Sequence, residues 1–252
     1  MSKSLIKEQF GANAAAYVTS QPHAKGASLA RLVELVKPQP AWKMLDIATA
    51  AGHTAFIFAP HVAHVWATDI TPEMLVLAQQ QAQERGFANV TVETADAEVL
   101  PYDDASFDLV TCRIAPHHFG DVALFVREAA RVLRPGGILA VVDNVVPAGP
   151  AGDYVNAFEK LRDPSHGRCL TTDEWLTLYQ ASGLAILQHE TITKQMEFDK
   201  WAARHTPTMQ QNLRAMLSEV EGEAKAFLQP TVAATGTTFM LQEGIIIGQK
   251  ST

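Results

Sequence analysis

The stretch Met44-Leu45-Asp46-Ile47-Ala48-Thr49-Ala50-Ala51-Gly52 limits the possible folds of this chain more than any other. A short apolar strand runs into an acidic residue and then a turn of small residues, and the helical pattern Thr54 to Phe58 follows at once. A second apolar strand, His64 to Ala67, ends in Thr68-Asp69. This is the layout of a mononucleotide-binding βαβ unit. Small residues let the backbone approach a ligand, and a later carboxylate is placed to take ribose hydroxyls. The turn reads Ala-x-Ala-x-Gly, whereas a dinucleotide site wants Gly-x-Gly-x-x-Gly.

The next segments extend the pattern. Ile70-Thr71-Pro72-Glu73-Met74-Leu75 reads as a helix start, with Thr71 as N-cap and Pro72 at the first helical position. A third strand, Val90 to Glu93, leads into Ala95-Asp96-Ala97-Glu98-Val99-Leu100-Pro101, and then comes Ser106-Phe107-Asp108-Leu109-Val110. The series DIATAAG, ATDITPEML, ADAEVLP and SFDLVTCR resembles the successive cofactor motifs of class I S-adenosylmethionine-dependent methyltransferases, over roughly residues 40–145. Within that class, VTCRIAPHHF and VVDNVVP resemble small-molecule methyltransferases related to the quinone-biosynthesis C-methyltransferases.

Apolar residues make up 47% of the 252, enough for one substantial core. The net charge of −7, with no long basic run, argues against nucleic acid as a partner. Cys112 and Cys169 lie in unrelated segments and read as reduced thiols of a cytoplasmic protein. The start of the chain lacks the apolar run of a signal peptide. The most apolar stretch, Ile138 to Val146, is broken by Asp143-Asn144 and is too short to span a bilayer. The histidines show no metal-ligand spacing, so no metal is expected, and the oligomeric state stays open.

Helical periodicity covers residues 4–18 and 23–36, with Pro38 and Pro40 ending the second segment. Strands are expected near 43–47, 64–69, 90–94, 108–114 and 137–145, and helices near 53–59, 72–85, 121–133 and 153–162. A helix from Thr172 to Ser182, an apolar β-branched run from Ala185 to Met196, helical stretches near 198–204 and 208–227, and a last strand from Thr238 to Gly248 complete the chain. Alternation of this kind predicts right-handed crossovers and a parallel sheet. The resemblance makes it a Rossmann-like, doubly wound α/β fold with a mostly parallel seven-stranded sheet and a last antiparallel strand. An N-terminal helical lid and a helical insertion before the last strand flank it. The expected organisation is one methyltransferase domain over 1–252. Residues 1–38 are a helical cap, 40–145 the cofactor-binding core, and 150–252 a C-terminal half carrying the acceptor-site insertion.

Asp46, Asp69, Asp96, Arg113 and Asp143 each end or follow an apolar strand at the edge where open parallel sheets bind ligands. The resemblance assigns roles to several. Asp46 lies under the amino-acid end of S-adenosylmethionine and orients its ammonium. The backbone of Ala48, Thr49 and Gly52 passes the methionine and ribose portions. Asp69 takes both ribose hydroxyls, Ile70 and Met74 flank the adenine, Asp96 and Ala97 meet its edge, and Arg113 and Ile114 lie beside the methionine tail. The family turn usually carries glycine where Ala48 and Ala50 stand. Alanine penalises positive φ and could crowd a ligand, so either the turn holds both alanines at negative φ and tolerates them, which is the favoured reading, or cofactor affinity is weakened.

Methyl transfer needs a general base only if the nucleophile arrives protonated. His117 and His118, just past the fourth strand, are the candidate catalytic bases, with helix capping or packing as the alternative. Arg162, Asp163, Ser165, His166 and Arg168 form a second polar cluster, read as a solvated loop or as a wall of the acceptor pocket. His53 and His61 are expected to pack or cap. Phe10, Tyr17 and His23 sit in the segment that closes over the cofactor in the resembled class. Trp201, Met209, Met216 and Phe227 belong either to a core or to an apolar lid. The leading reading is an S-adenosylmethionine-dependent methyltransferase of a small-molecule acceptor. The alternatives are a non-catalytic S-adenosylmethionine-binding protein, raised by Ala48 and Ala50, and a nicotinamide-dependent oxidoreductase.

Overall fold

The computed structural model describes residues 3–5, 7, 10–11, 26–233 and 236–251, with residues 3–5, 7, 10 and 11 helical. Tyr17 and His23 lie outside the described residues. Helix α1 spans Ala27–Val36 and leads to strand β1, Lys43–Ile47. Then come α2 (His53–Phe58), β2 (His64–Asp69), α3 (Pro72–Glu84), β3 (Val90–Thr94) and β4 (Phe107–Arg113). A 3₁₀ turn, Pro116–His118, precedes α4 (Val122–Val132) and β5 (Leu133–Val145). The second half adds α5 (Gly149–Arg162), α6 (Thr172–Ala181) and β6 (Leu184–Glu197). Three helices then intervene, α7 (Phe198–Trp201), α8 (Pro207–Glu219) and α9 (Gly222–Leu228), before the short β7 (Thr231–Ala233) and the long β8 (Gly236–Lys250).

The sheet order is β3-β2-β1-β4-β5-β8-β6, with β7 hairpinned onto β8. The first five strands pair in parallel, and β8 runs antiparallel to both β5 and β6. The seven expected strands are all present, and Thr231–Ala233 adds an eighth. Strand order reverses beside β1, so the crossovers leave in opposite directions and open a crevice at the carboxyl ends of β1 and β4.

Alternation along the strands divides the core into two layers. Leu45, Val110, Val141 and Ile246 face Phe125, Ala129, Trp175 and Tyr179 on one side. Their chain neighbours Met44, Leu109, Ala140 and Ile245 face Leu32, Val36, Phe58 and Ala82 on the other. Each such aliphatic or aromatic side chain contributes roughly 1.5–3 kcal/mol when fully buried. The helix ends follow local chemistry. Asp121 caps α4 by accepting from Leu124 N at 2.8 Å, and Thr171 and Glu174 form a reciprocal capping box on α6. Thr71 sits at the N-cap of α3, but its side chain does not cap the helix.

A third apolar cluster settles the character of the 198–230 segment. Trp201 stacks on Phe158 of α5 at 4.8 Å and meets Phe239 of β8 edge-on at 5.0 Å. Leu213, Leu217, Ala224 and Leu228 join them, with Met209, Met216 and Phe227 packed against the cluster. The insertion therefore builds a core of its own with α5 and β8. No helix among the described residues is long and apolar enough to cross a membrane.

Candidate functional site

A cleft opens at the carboxyl ends of β1, β2 and β4. Ala48, Thr49, Asp69, Ile70, Met74, Asp96, Ala97, Arg113, Ile114 and His118 line it together. Lys3, Phe10, Ala50, His53, Glu98 and Phe119 are also part of the wall. Among the expected site residues, Asp46, Gly52 and His117 are not part of that lining.

The turn after β1 departs from expectation. Ala48 and Ala50 both adopt positive φ, 54° and 47°. The alanines do not avoid the left-handed region; they occupy it, at a cost of about 1–2 kcal/mol each. The surrounding bonds compensate. Thr49 N donates to Thr68 O at 2.8 Å and Ala50 N to Asp69 Oδ2 at 3.0 Å. Ile114 is strained in the same sense, with φ 54°, while its N–H donates to Val142 O at 2.7 Å. Gly52, with φ 87°, is required for packing: a Cβ there would lie 2.3 Å from the Phe56 ring.

Asp46 is buried behind the turn. Its carboxylate accepts from Thr49 Oγ1 and Thr111 Oγ1, both at 2.6 Å. Burial pushes its pKa up to about 6 against those two bonds. Asp69 closes β2, and its two oxygens accept from Ala50 N and from Thr71 N, the latter at 2.9 Å. The Thr71 hydroxyl and Ile70 N add to these bonds, so the carboxylate is held from several sides where it lines the cleft. Burial raises its pKa as well.

Beyond β3, Asp96 Oδ1 accepts from Glu98 N at 3.0 Å and Oδ2 from Lys3 Nζ at 2.5 Å. Lys3 also reaches Glu98 at 3.0 Å, and the other Glu98 oxygen accepts from Gly120 N and Asp121 N. Phe10 meets the His118 ring edge-on at 4.9 Å. Residues 3 and 10 thus touch both ends of the cleft.

The histidine side is a densely bonded interior. His117 N donates to Asp143 Oδ2 at 2.8 Å, and its Nδ1 lies 2.5 Å from Asp143 Oδ1. Burial pushes Asp143 up to about 8 and His117 down to about 4, so the pair shares one proton and the imidazole stays neutral near pH 7. His118 Nδ1–H donates to the Ser165 carbonyl at 2.8 Å. A carbonyl can only accept, so this bond fixes the tautomer and leaves the lone pair on Nε2. Burial, with His117 alongside, lowers His118 to about 3.

The 162–168 loop is not a solvated one. Asp163, Ser165 and His166 are buried, while Pro164 and Arg168 are exposed, the latter paired with Glu174. His166 Nε2 bonds Asn156 Oδ1 at 2.9 Å, and its ring lies 5.4 Å from that of His117. His53 opens α2 at the cleft wall, and His61 ends an exposed turn. Among the described residues no group of His, Cys, Asp and Glu is arranged to hold a metal ion.

No sequence signal points to Lys3, to the Ser165 carbonyl or to the Lys194–Glu243 pair at 2.7 Å, half-buried on the lysine side. Glu98 lies inside ADAEVLP, and nothing there indicates its partners. Asp143 stands at a strand end, and nothing local links it to His117.

The cleft carries a carboxylate, Asp69, at the end of β2 and a left-handed backbone at Ala48 and Ala50 along the same wall. The sequence profile of the family described as a methyltransferase domain matches residues 45–141. An uncharacterised methyltransferase of Bacillus subtilis, YcgJ, is 39% identical over 196 residues, covering 77% of this chain and 78% of that protein. Its crystal structure superposes with a TM-score of 0.83 and 34% identity, over 89% of this chain and 98% of that one. The demethylmenaquinone methyltransferase of Thermus thermophilus is 35% identical over 49% of this chain and 56% of its own length. The 27-O-demethylrifamycin SV methyltransferase of Amycolatopsis mediterranei is 33% identical over 61% and 58%. With its strand order, its cleft and these relatives in agreement, the chain belongs to the class I S-adenosylmethionine-dependent methyltransferases and is an enzyme that uses that cofactor.

Proposed function

We propose that the protein methylates a small-molecule acceptor whose nucleophile arrives protonated. The observation that carries this reading is His118. It lines the cleft, its Nδ1–H is committed to the Ser165 carbonyl, and its lone pair is therefore on Nε2. Two relatives are named for methylating small molecules, a demethylated rifamycin and a demethylmenaquinone, which supports an acceptor of that size.

In this reading residues 40–145 bind the cofactor, 1–38 cap it and 150–252 carry the acceptor side. Asp69 accepts from the ribose hydroxyls. Ile70 and Met74 flank the adenine, and Asp96 and Ala97 meet its edge. Asp46 holds Thr49 and Thr111 in place under the methionine end, where Ala48, Gly52, Arg113 and Ile114 shape the backbone. When bound, the cofactor would supply a methyl group on a sulfonium sulfur, which departs as the neutral thioether as the acceptor takes the methyl in line. Phe10 and Lys3 help exclude water from the cleft. His118, with His117 held behind it by Asp143, receives the acceptor's proton.

The test begins with calorimetry using S-adenosylmethionine and S-adenosylhomocysteine, both expected to bind and to raise the melting temperature. Labelled methyl transfer to a panel of hydroxylated, amine and carbon-acid small molecules follows. Transfer to a protein or nucleic acid substrate, with none to the panel, would overturn the small-molecule assignment.

A further inference from the structure

We infer that Asp163 and Ser165 are positioning residues for His118, and that Arg204 ties this assembly to the helical insertion. The inference rests on His118 being the functional imidazole but is tested separately from it.

The His118 imidazole is held by a main-chain atom, the carbonyl of Ser165, at 2.8 Å, with Ser165 Oγ 3.3 Å from the same nitrogen. A carbonyl in a loop fixes a tautomer only if the loop is itself fixed. Asp163 supplies that. Its Oδ1 accepts from both Ser165 N at 3.0 Å and Ser165 Oγ at 2.6 Å, a closed turn around one residue. Its Oδ2 takes Arg204 at 3.1 Å, and Arg204 also donates to the Arg162 carbonyl at 3.1 Å. Arg204 follows α7, in the segment that packs Trp201 onto α5. Asp163 and Ser165 are themselves buried. Burial works against ionisation of Asp163, yet the Ser165 bonds and the Arg204 charge hold its carboxyl below the ordinary carboxylate range. It is therefore an ionised acceptor near neutral pH.

The consequence is a division of labour. His117 is anchored by a side chain from β5, and His118 by a loop whose geometry depends on the C-terminal half. The insertion, far from the cofactor in sequence, sets which ring nitrogen His118 presents to the cleft.

The experiment is nitrogen-15 NMR of imidazole-labelled full-length protein, with the His118 signal identified by its loss in His118→Gln. The wild type is expected to show one neutral Nδ1–H tautomer for His118. Asp163→Ala removes the acceptor and should replace that signal with a tautomer mixture. Asp163→Asn retains an oxygen that can accept from Ser165 and should keep the single tautomer, a rescue that a merely structural charge would not give. Ser165→Ala and Arg204→Ala serve if Asp163→Ala does not fold, and at least one should mix the tautomers. Calorimetry with S-adenosylhomocysteine should be unchanged in every folded variant. A single Nδ1–H tautomer persisting in folded Asp163→Ala, or in both Ser165→Ala and Arg204→Ala, overturns the inference. Full turnover in His118→Gln, with the tautomer effects as expected, would instead sink the base assignment and leave the positioning intact.

Discussion

The two walls of the cleft are built in different ways. On the β1–β2 wall the backbone is bent into left-handed conformations at Ala48 and Ala50, and Ala50 is tied down by Asp69. On the β4–β5 wall a side chain, His118, lines the cleft with His117 behind it, and the inner nitrogens of the two rings are already committed to Ser165 and Asp143. The first wall gains close approach at the cost of conformational strain. The second gains defined proton positions at the cost of burying ionisable groups. One wall is therefore expected to be sensitive to backbone substitutions and the other to pH and to single-atom changes.

The largest effect should come from the imidazoles. If the second wall moves a proton, His118→Gln should lower turnover by about 10²–10⁴-fold with cofactor affinity nearly intact, and His117→Gln should follow in the same direction. The associated pH limb is not expected near the ordinary value of about 6.5, because His118 is lowered to about 3 and His117 to about 4. A kcat profile with a histidine limb at 6.5 that disappears in His118→Gln would show that the imidazole is better solvated than this packing allows.

Stability against pH sharpens the same contrast by a few kcal/mol. His117, His118 and His166 are lowered by burial to about 4, about 3 and about 3. With folded pKa values below the unfolded ones, their contribution is complete above pH ~6.5 and is lost as the pH falls toward 4. Asp46 and Asp143, raised by burial to about 6 and about 8, act oppositely, and their contribution is lost as the pH rises through those values. Asp69 and Glu159 are raised by burial as well, so the buried carboxyls offset the imidazoles on the acid side, and Asp143 remains to ionise above neutrality. The imidazole contribution should therefore show in the difference between variant and wild type. His118→Gln should make the thermal midpoint less sensitive to acid between about pH 4 and 6.5 than the wild type's, and an identical pH dependence in the two would contradict neutral burial of that ring.

On the first wall, Asp69→Ala should weaken S-adenosylmethionine binding by about 1.5–3 kcal/mol, roughly 10- to 150-fold, as expected for hydrogen bonds to a charged group. It also strips Ala50 N and Thr71 N of their acceptor, so the folded state should lose stability too. Unchanged affinity in the folded variant would reduce Asp69 to a turn residue. The smallest effect belongs to Ala50→Gly, which relieves positive φ and should shift stability by about 1 kcal/mol and affinity by less than about tenfold. A far larger gain in affinity would mean that the alanine methyl obstructs the ligand.

What the sequence disclosed follows from how far apart the interacting groups lie. Strands β1 to β5 were readable because alternation and turn chemistry are local, and the strand-end residues Asp69, Asp96 and Arg113 marked the cleft by position. The boundaries shifted where context intervened: α5 begins at Gly149, four residues before the expected start, and β5 continues back through Pro135-Gly136-Gly137, where the pairing with β4 slips register. The conformation of Ala48 and Ala50 was misread because alanine argues against positive φ, and only the bonds from Thr49 and Ala50 to β2 reveal why it is held. The His118 anchor was invisible for a different reason. Its partner is a main-chain carbonyl 47 residues away, and no residue type signals a carbonyl. Lys3 meets Asp96 across 93 residues, and nothing in either neighbourhood announces the pair.

The left-handed residues at Ala48, Ala50 and Ile114 also bear on how this protein would evolve in the laboratory. A screen that rewards heat tolerance alone favours substitutions that relax the backbone, and three such positions line the cleft proposed for the cofactor. Glycine at any of them relieves φ strain but also loosens the wall that must close around the ligand. Selection for survival at high temperature would thus be drawn into the binding site itself, and variants from it should be sorted by cofactor affinity before they are sorted by melting temperature.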